Sequence, residues 1–186
     1  MSHSGTVRIL GIAGSLRRGS FNAAALRAAQ ELAPAGMTIE IFDLAPIPMY
    51  NDDVRLEGYP APVADFRARI KAADGLLIAT PEYNYSTSGV LKNAIDWASR
   101  PPEHPFEGKP IGLMGASAGA LGTARAQYHL RQMFVFLNGF VMNRPEVMIP
   151  AAQTKFDAEG ELTDQPTRDF ISAHLVAFKA WVLKMR

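Results

Sequence analysis

The sequence predicts one α/β domain over residues 1–186, with a five-stranded parallel sheet between two layers of helices. Short apolar segments of strand length alternate along the whole chain with longer amphipathic segments. Two of the apolar segments, Asp74–Thr80 and Lys109–Ala116, are nearly continuous, as in strands that are covered on both faces. Neither an internal repeat nor a low-complexity linker divides the chain. Together these observations favour a three-layer sandwich, and both common strand orders of doubly wound sheets stay open.

The elements follow one another in regular alternation. The predicted strands are Thr6–Ala13, Thr38–Asp43, Asp74–Thr80, Lys109–Ala116 and Glu146–Ile149. An alanine-rich helix is predicted over Asn22–Leu32, and residues 46–60 are predicted to be a long connection that contains prolines. Apolar residues at helical spacing predict four further helices, whose stripes begin at Val63, Leu91, Ala126 and Ile171.

Three of these helices carry signals at their ends. Thr87 or Ser88 can cap the helix that contains Leu91. Thr163 or Asp164 can cap the last helix, and Asn138-Gly139 is a good stop for the one before it.

Composition excludes several classes of function. The 186 residues include 19 Lys and Arg and 18 Asp and Glu, so the net charge is +1. The chain therefore lacks the excess of basic residues that is typical of a dedicated nucleic-acid-binding protein. Because the chain has no cysteine, disulfides, a thiol nucleophile and cysteine-ligated metals are excluded. The histidines at positions 3, 104, 129 and 174 have no metal-ligand spacing. No segment predicts a signal peptide or a membrane span, so a cytoplasmic protein is expected.

The first candidate binding loop, GSLRRGSFN, follows the first strand and opens the first helix. Backbone amides converge at such a helix start, and the helix dipole favours an anion there. Ser15, Ser20 and Asn22 add neutral donors, and Arg17 or Arg18 adds a charged one. The loop lacks the GxGxxG pattern and the lysine of a triphosphate loop. It therefore predicts a site for a single phosphate, although an ordinary turn with a serine cap is the alternative.

Two further loops follow the third and fourth strands. Pro81 begins the loop PEYNYSTSG, whose two tyrosines and asparagine can contact the face and polar edge of a heterocycle. Packing of this loop on a neighbouring subunit is the alternative for the tyrosines. The loop that begins at Ala116 consists of small residues, which let a planar ligand approach the backbone. Ligands of doubly wound sheets lie beyond the carboxyl ends of the strands, where all three loops are expected.

The motifs GSLRRGSFN, PEYNYSTSGVLKNAIDWASRP and ASAGALGTARAQYHLRQ resemble those of the NADPH-dependent FMN reductase family, whose fold is flavodoxin-like. The likeness is strongest to its bacterial quinone and chromate reductases. It implies one noncovalent FMN per subunit, with its phosphate surrounded by Ser15, Arg17, Ser20, Phe21 and Asn22. It further implies that the isoalloxazine ring is contacted by Pro81, Glu82, Tyr83, Asn84 and Tyr85 on one side and by Ser117 and Gly119 on the other.

The resemblance also implies an activity and an assembly. NADPH or NADH would reduce the flavin, and a small acceptor such as a quinone, chromate, an azo compound or free flavin would then reoxidise it with ping-pong kinetics. No catalytic side chain is assigned, because the cofactor supplies the chemistry. The family forms homodimers or homotetramers, and Tyr85, Arg125, Tyr128 and Glu146 match positions near its subunit contacts. For Arg125 and Tyr128 a solvated helix face is the alternative.

Two other functions compete with the reductase. An electron-carrier flavodoxin would bind FMN without a substrate of its own, but such carriers are usually strongly acidic and use threonine-rich phosphate loops. A flavin-free scaffold is the third hypothesis.

Overall fold

A computed structural model describes residues 5–185 of the chain as an α/β structure built on one parallel sheet. Its strands are β1 (Val7–Ala13), β2 (Met37–Phe42), β3 (Gly75–Ala79), β4 (Pro110–Ala116), β5 (Phe140–Val141) and β6 (Val147–Ile149). Its α-helices are α1 (Phe21–Glu31), α2 (Asp52–Glu57), α3 (Ala61–Ala72), α4 (Gly89–Ala98), α5 (Ala124–Phe136) and α6 (Gln165–Met185). The alternation of strands and helices predicted from the sequence is confirmed.

The sheet has the strand order β2-β1-β3-β4-β5, and β6 also pairs with β4. This is the flavodoxin-like order, one of the two that the sequence left open. The chain leaves β1 for one edge of the sheet and returns to β3 on the other side of β1. The carboxyl ends of β1 and β3 therefore bound the crevice in which ligands of such sheets lie.

The fifth position of the sheet differs from the prediction, because it is shared by two short strands. β5 pairs with the start of β4 through Pro110 and Ile111, whereas β6 pairs with its end. The sequence predicted only the second of these, as Glu146–Ile149. The interruption includes Pro145, which has no N–H group to donate to a ladder. A two-residue strand has no measurable periodicity, which is why β5 was missed.

The sheet is covered on both faces, as predicted. Helices α1 and α6 pack on one face around buried side chains such as Leu26 and Phe178. Helices α3, α4 and α5 pack on the other, around Phe66, Ile95 and Phe134. Each fully buried apolar side chain of this size contributes about 1.5–3 kcal/mol. Successive residues of a strand serve opposite layers, which explains the continuous apolar runs of β3 and β4.

The structure decides among the candidate caps and adds one helix. Ser88 caps α4, because its Oγ accepts a hydrogen bond from the N–H of Leu91 at 3.1 Å. Asp164 serves α6, where its carboxylate accepts from the N–H of Thr167 at 3.0 Å. The connection predicted over residues 46–60 contains helix α2, which Asn51 caps. This helix has six residues and none of them is buried, so the sequence contains no apolar stripe from which it could be predicted.

Candidate cofactor-binding site

The loops after β1, β3 and β4 meet at the carboxyl edge of the sheet and enclose a cavity of about 300 Å³. It is lined by Ser15, Arg17, Ser20, Phe21, Asn22, Pro81, Glu82, Tyr83, Ala116, Ser117 and Ala118. Of the residues that the resemblance assigned to the cofactor, all but Asn84, Tyr85 and Gly119 line this cavity. Ala116, the last residue of β4, and Ala118 also line the cavity. The sequence placed both in the candidate loop of small residues but did not single them out as contacts.

The β1–α1 loop presents the start of a helix to the cavity. Ser20 caps α1 and is buried, and its Oγ accepts from the N–H of Ala23 at 3.3 Å. The first turn of α1 contains no acidic residue that would oppose an anion. Arg17 is exposed, and its guanidinium carbon lies 5.4 Å from the centroid of the Phe21 ring. This arrangement suits a phosphate, because amide, hydroxyl and guanidinium donors border the same space.

Asn22 reaches across the cavity floor instead of facing a ligand with its whole amide. Its Nδ2 donates to the carbonyl of Ala116 at 2.9 Å, and its Oδ1 accepts from the N–H of Ala116 at 2.8 Å. The side chain is buried, so these two bonds tie the start of α1 to the end of β4. Because the two residues are 94 positions apart, the sequence could not reveal this pairing.

The loops after β1 and β3 touch at Gly14. A Cβ at this position would lie 2.9 Å from Cδ of Pro81 and 3.2 Å from Oγ of Ser88. Ser88 is buried and donates from its Oγ to the carbonyl of Gly14 at 2.6 Å. The close approach explains why glycine is needed here and holds the phosphate loop against the loop expected to bind the ring.

The β3–α4 loop contains a tight hairpin over residues 83–86. Tyr83 and Ser86 exchange two backbone hydrogen bonds of 3.0 Å, and the residues between them have positive φ angles. Asn84 has a φ of 49° and Tyr85 a φ of 66°, as a two-residue hairpin turn of type I′ requires. Asparagine tolerates this region of φ, whereas tyrosine rarely adopts it. Tyr83 therefore lines the cavity, while Asn84 and Tyr85 form the exposed tip.

Glu82 lines the cavity, but its carboxylate is directed to the start of α5. It accepts hydrogen bonds from the N–H groups of Arg125 and Ala126 and from the guanidinium of Arg125. The side chain is 6% exposed. Glu82 was expected to contact the ring, and in this structure the charged end of its side chain is committed to another element.

The β4–α5 loop forms the remaining wall and is held by the strand next to it. The N–H of Ser117 donates to the carbonyl of Ile149 at 3.0 Å, and the carbonyl of Ser117 accepts from Ala152. Gly119 lies beyond the cavity lining, where its N–H donates to Oγ of Ser117 at 3.0 Å. The backbone here is consequently fixed close to the space that a planar ligand would fill.

The positions expected near subunit contacts lie in the hairpin, on α5 and, for Glu146, just before β6. Tyr85 and Tyr128 are 69% and 50% exposed. Arg125 is paired with Glu82 of the same chain, and Glu146 lies 3.5 Å from a guanidinium nitrogen of Arg131.

Among residues 5–185 no group of histidine or acidic side chains could hold an ion. His3, which the sequence analysis also discounted, lies outside the described residues. No helix in the same range is long and apolar enough to cross a membrane.

The residues present fit FMN. The cavity joins the start of α1, bordered by Arg17, to a slot between Pro81–Tyr83 and the small residues 116–118. A planar ring with a phosphorylated chain matches both parts of this space. Fold and site thus define a flavodoxin-like protein with a site for a phosphorylated flavin.

Comparison with known proteins leads to the family. The model of the NADPH-dependent FMN reductase family matches residues 7–154. An NAD(P)H-dependent FMN reductase of Pseudomonas aeruginosa is 58% identical over 183 residues, covering 98% of this chain and 99% of the relative. A quinone reductase of Escherichia coli is 45% identical over 183 residues, covering 97% of each. This chain therefore belongs to the NADPH-dependent FMN reductase family.

A solved structure agrees with this conclusion. FerB, a flavoenzyme NAD(P)H:(acceptor) oxidoreductase from Paracoccus denitrificans, superposes with a TM-score of 0.88 at 34% identity. The match covers 97% of this chain and 99% of FerB. The family and the flavodoxin-like fold inferred from the three motifs are confirmed.

Proposed function

We propose that this protein is a single FMN-binding domain that transfers electrons from NADPH or NADH to a small acceptor, with quinones as the preferred class. The observation that carries the proposal is the cavity at the carboxyl edge of the sheet, which brings the donors at the start of α1 together with the loops after β3 and β4. Relatives named quinone reductase and NAD(P)H:quinone oxidoreductase support the choice of acceptor. Chromate, azo compounds and free flavins are the other acceptors to be tested.

The residues divide between the two parts of the cofactor. Ser15, Arg17 and Ser20, with the first amides of α1, would hold the phosphate, while Phe21 and Asn22 shape the floor. Pro81–Tyr83 and Ser117 would border the ring, with Asn84, Tyr85 and Gly119 further out. When bound, FMN accepts two electrons from a nicotinamide and passes them to a second substrate.

The protein's own contribution is orientation and access. Among the described residues that line the cavity there is no histidine, and the one carboxylate, that of Glu82, is bound to α5. No side chain is therefore assigned to proton transfer. Donor and acceptor would approach the bound ring one after the other.

An electron-carrier flavodoxin is the alternative, and the comparisons give it no support. The net charge of +1 also departs from the acidic character of such carriers. The absorbance of bound FMN distinguishes the two functions. A reductase bleaches its FMN rapidly when NADPH alone is added. A carrier would need a partner reductase for the same change in absorbance.

The assembly proposed is a homodimer or homotetramer, with Tyr85, Arg125, Tyr128 and Glu146 near the subunit contacts. The exposed rings of Tyr85 and Tyr128 support this proposal. Sedimentation velocity tests it, and a monomer at micromolar concentration would contradict it. Cytoplasmic action is proposed with it, because the nicotinamide donor is found there.

Steady-state kinetics tests the proposed function directly. The FMN-loaded protein is assayed with NADPH and NADH against benzoquinone, chromate, an azo dye and free FMN. We expect parallel double-reciprocal lines and the highest kcat/KM for the quinone. Intersecting lines would contradict the ping-pong order, and turnover no faster than that of free FMN would contradict the enzyme.

A further inference from the structure

The carboxylate of Glu82 makes an unusual set of contacts for a residue at a cofactor cavity. Its Oε2 accepts from the backbone N–H groups of Arg125 at 3.0 Å and Ala126 at 3.2 Å. Its Oε1 accepts from Nε of Arg125 at 2.5 Å. The side chain of Glu82 is 6% exposed, so the charge is compensated by three charge-assisted or helix-end hydrogen bonds.

Helix α5 depends on this residue for its cap. Thr123, at the N-cap position, accepts no backbone amide of the helix with its side chain, because its Oγ1 accepts from Nε2 of Gln127 at 3.1 Å instead. The first turn of α5 has no acidic residue. The amides of a helix start require acceptors, and a negative charge there is favoured by the dipole. Glu82 supplies both from a loop 43 residues earlier in the chain.

The same contacts continue into the hairpin. The guanidinium carbon of Arg125 lies 3.6 Å from the centroid of the Tyr85 ring, which is a cation–π contact. A second bond from α5 joins Nδ1 of His129 to Oγ of Ser86 at 2.8 Å. Tyr85 has a φ of 66°, a conformation that a bulky residue keeps only when its surroundings hold it. Glu82 fixes Arg125, and Arg125 holds the tyrosine.

We propose that Glu82 is a positioning residue of the reductase: through Arg125 it holds the 83–86 hairpin in the conformation that borders the ring of the flavin. This inference rests on the proposed function only for the identity of the ligand. It assigns Arg125 a role within its own subunit in addition to the proposed place near a subunit contact. The sequence suggested direct contact of Glu82 with the ring, whereas the geometry points to an indirect effect.

The side chain of Glu82 both caps α5 and holds the guanidinium of Arg125, and Glu82→Gln separates these two roles. The single carbonyl oxygen of glutamine can still accept from the amides of Arg125 and Ala126. Its NH2 group then faces Nε of Arg125, so two donors oppose each other and the guanidinium is released. Arg125→Gln removes the same contact from the other side, at a partly exposed residue.

The apoprotein gives the first readout. Hydrogen exchange of the peptide that contains Tyr83 and Ser86 is expected to become about tenfold faster in both variants, since their amides close the hairpin. The double variant is expected to show about the same tenfold change, because coupled residues are not additive. Additive effects would overturn the proposal, as would exchange at the wild-type rate.

Ligand binding gives the second readout. Glu82→Gln is expected to raise the dissociation constants of FMN and riboflavin by the same factor of about five to ten, because only the ring site is loosened. An effect on FMN alone, or a lowered Tm with both constants unchanged, would overturn the proposal. Glu31→Gln is the matched control, because it removes a carboxylate from a surface pair with Arg168. Binding and exchange remain measurable even if the protein reduces no quinone, so the two proposals can fail separately.

Discussion

The two loops that border the cavity from β1 and β3 are built in opposite ways. The β1–α1 loop is held by short hydroxyl and backbone contacts around Ser20, and Arg17 and Arg18 extend towards solvent. The β3–α4 loop is held by a buried carboxylate, a stacked guanidinium and a tight hairpin. One loop offers donors to a ligand, whereas the other directs its charges to the protein itself.

This difference teaches where binding energy and specificity arise. Arg17 of the first loop is exposed, so a phosphate bound there would replace water, and affinity at the proposed phosphate site should depend on the charge of the ligand. The second loop is organised beforehand. The left-handed conformation of Tyr85 costs about 1–2 kcal/mol, and the cation–π contact with Arg125 returns about 0.5–2 kcal/mol. We therefore expect the fold to set the shape of the proposed ring site, and the charge of the ligand to set the affinity of the proposed phosphate site.

The largest expected effect comes from a change that forces the two loops apart. Gly14→Val adds a Cβ that would lie 2.9 Å from Pro81. We expect the free energy of unfolding to fall by about 3 kcal/mol and the affinity for FMN to fall by about 100-fold or more. Urea denaturation and FMN titration measure the two quantities.

Gly89→Ala is the control for this variant. An added Cβ at position 89 meets no atom within 4 Å, and the residue lies in the first turn of α4. We expect no loss of stability there, since alanine is favoured over glycine in helices by up to about 1 kcal/mol. Wild-type FMN affinity in Gly14→Val would show that the loops do not depend on each other.

Arg17→Gln tests the dependence of the first loop on the phosphate. A hydrogen bond to a charged group contributes about 1.5–3 kcal/mol, so the dissociation constant of FMN should rise by about 10- to 100-fold. Riboflavin, which lacks the phosphate, should bind as it does to the wild type. Arg18→Gln is the matched control, because Arg18 does not line the cavity. An equal loss of affinity for FMN and riboflavin would show that Arg17 does not contact the phosphate.

The same contrast explains what the sequence could predict. The β1–α1 loop is local: a strand, a glycine, serines and a helix follow one another, so the sequence could predict that Ser15, Arg17 and Ser20 line a common site. The organisation of the second loop is not local, since Glu82 binds residues 43 positions away. The strand order and the split fifth strand likewise depend on packing. A periodic pattern of apolar residues indicates whether a segment is a helix or a strand, but not which element it packs against.

Asn84→Val tests whether the hairpin is organised before any ligand binds. A β-branched residue at a φ of 49° is strained, and we expect the apoprotein to lose about 1–2 kcal/mol of unfolding free energy. Asn84→Gly removes the same side chain without the strain and should leave stability close to that of the wild type. Equal stability of the two variants, measured by urea denaturation, would show that the tip is loose in the apoprotein.

The last prediction assigns a pH response of stability to a group outside both loops. His174 lies buried on α6, and its Nδ1 bonds the carbonyl of Pro145 at 2.7 Å. Burial lowers its pKa from 6.5, the Pro145 carbonyl opposes this shift, and nearby Arg131 adds to it. As the pH falls, His174 therefore takes up a proton more readily in the unfolded chain than in the folded one. Stability from this group is complete above about pH 6.5 and is lost as the pH falls below it.

His174→Asn checks this assignment, because its amide nitrogen can still donate near the position of Nδ1. Between pH 6.5 and 5 the wild type should lose up to about 1.4 kcal/mol of unfolding free energy per pH unit through His174. The slope should be smaller in the variant by that amount, as measured by urea denaturation at several pH values. FMN and riboflavin affinities at pH 7 should stay unchanged, because His174 packs near Gly112 within the sheet and lines no part of the cavity. An unchanged slope would show that other groups, including those of the two loops, cause the pH dependence of stability.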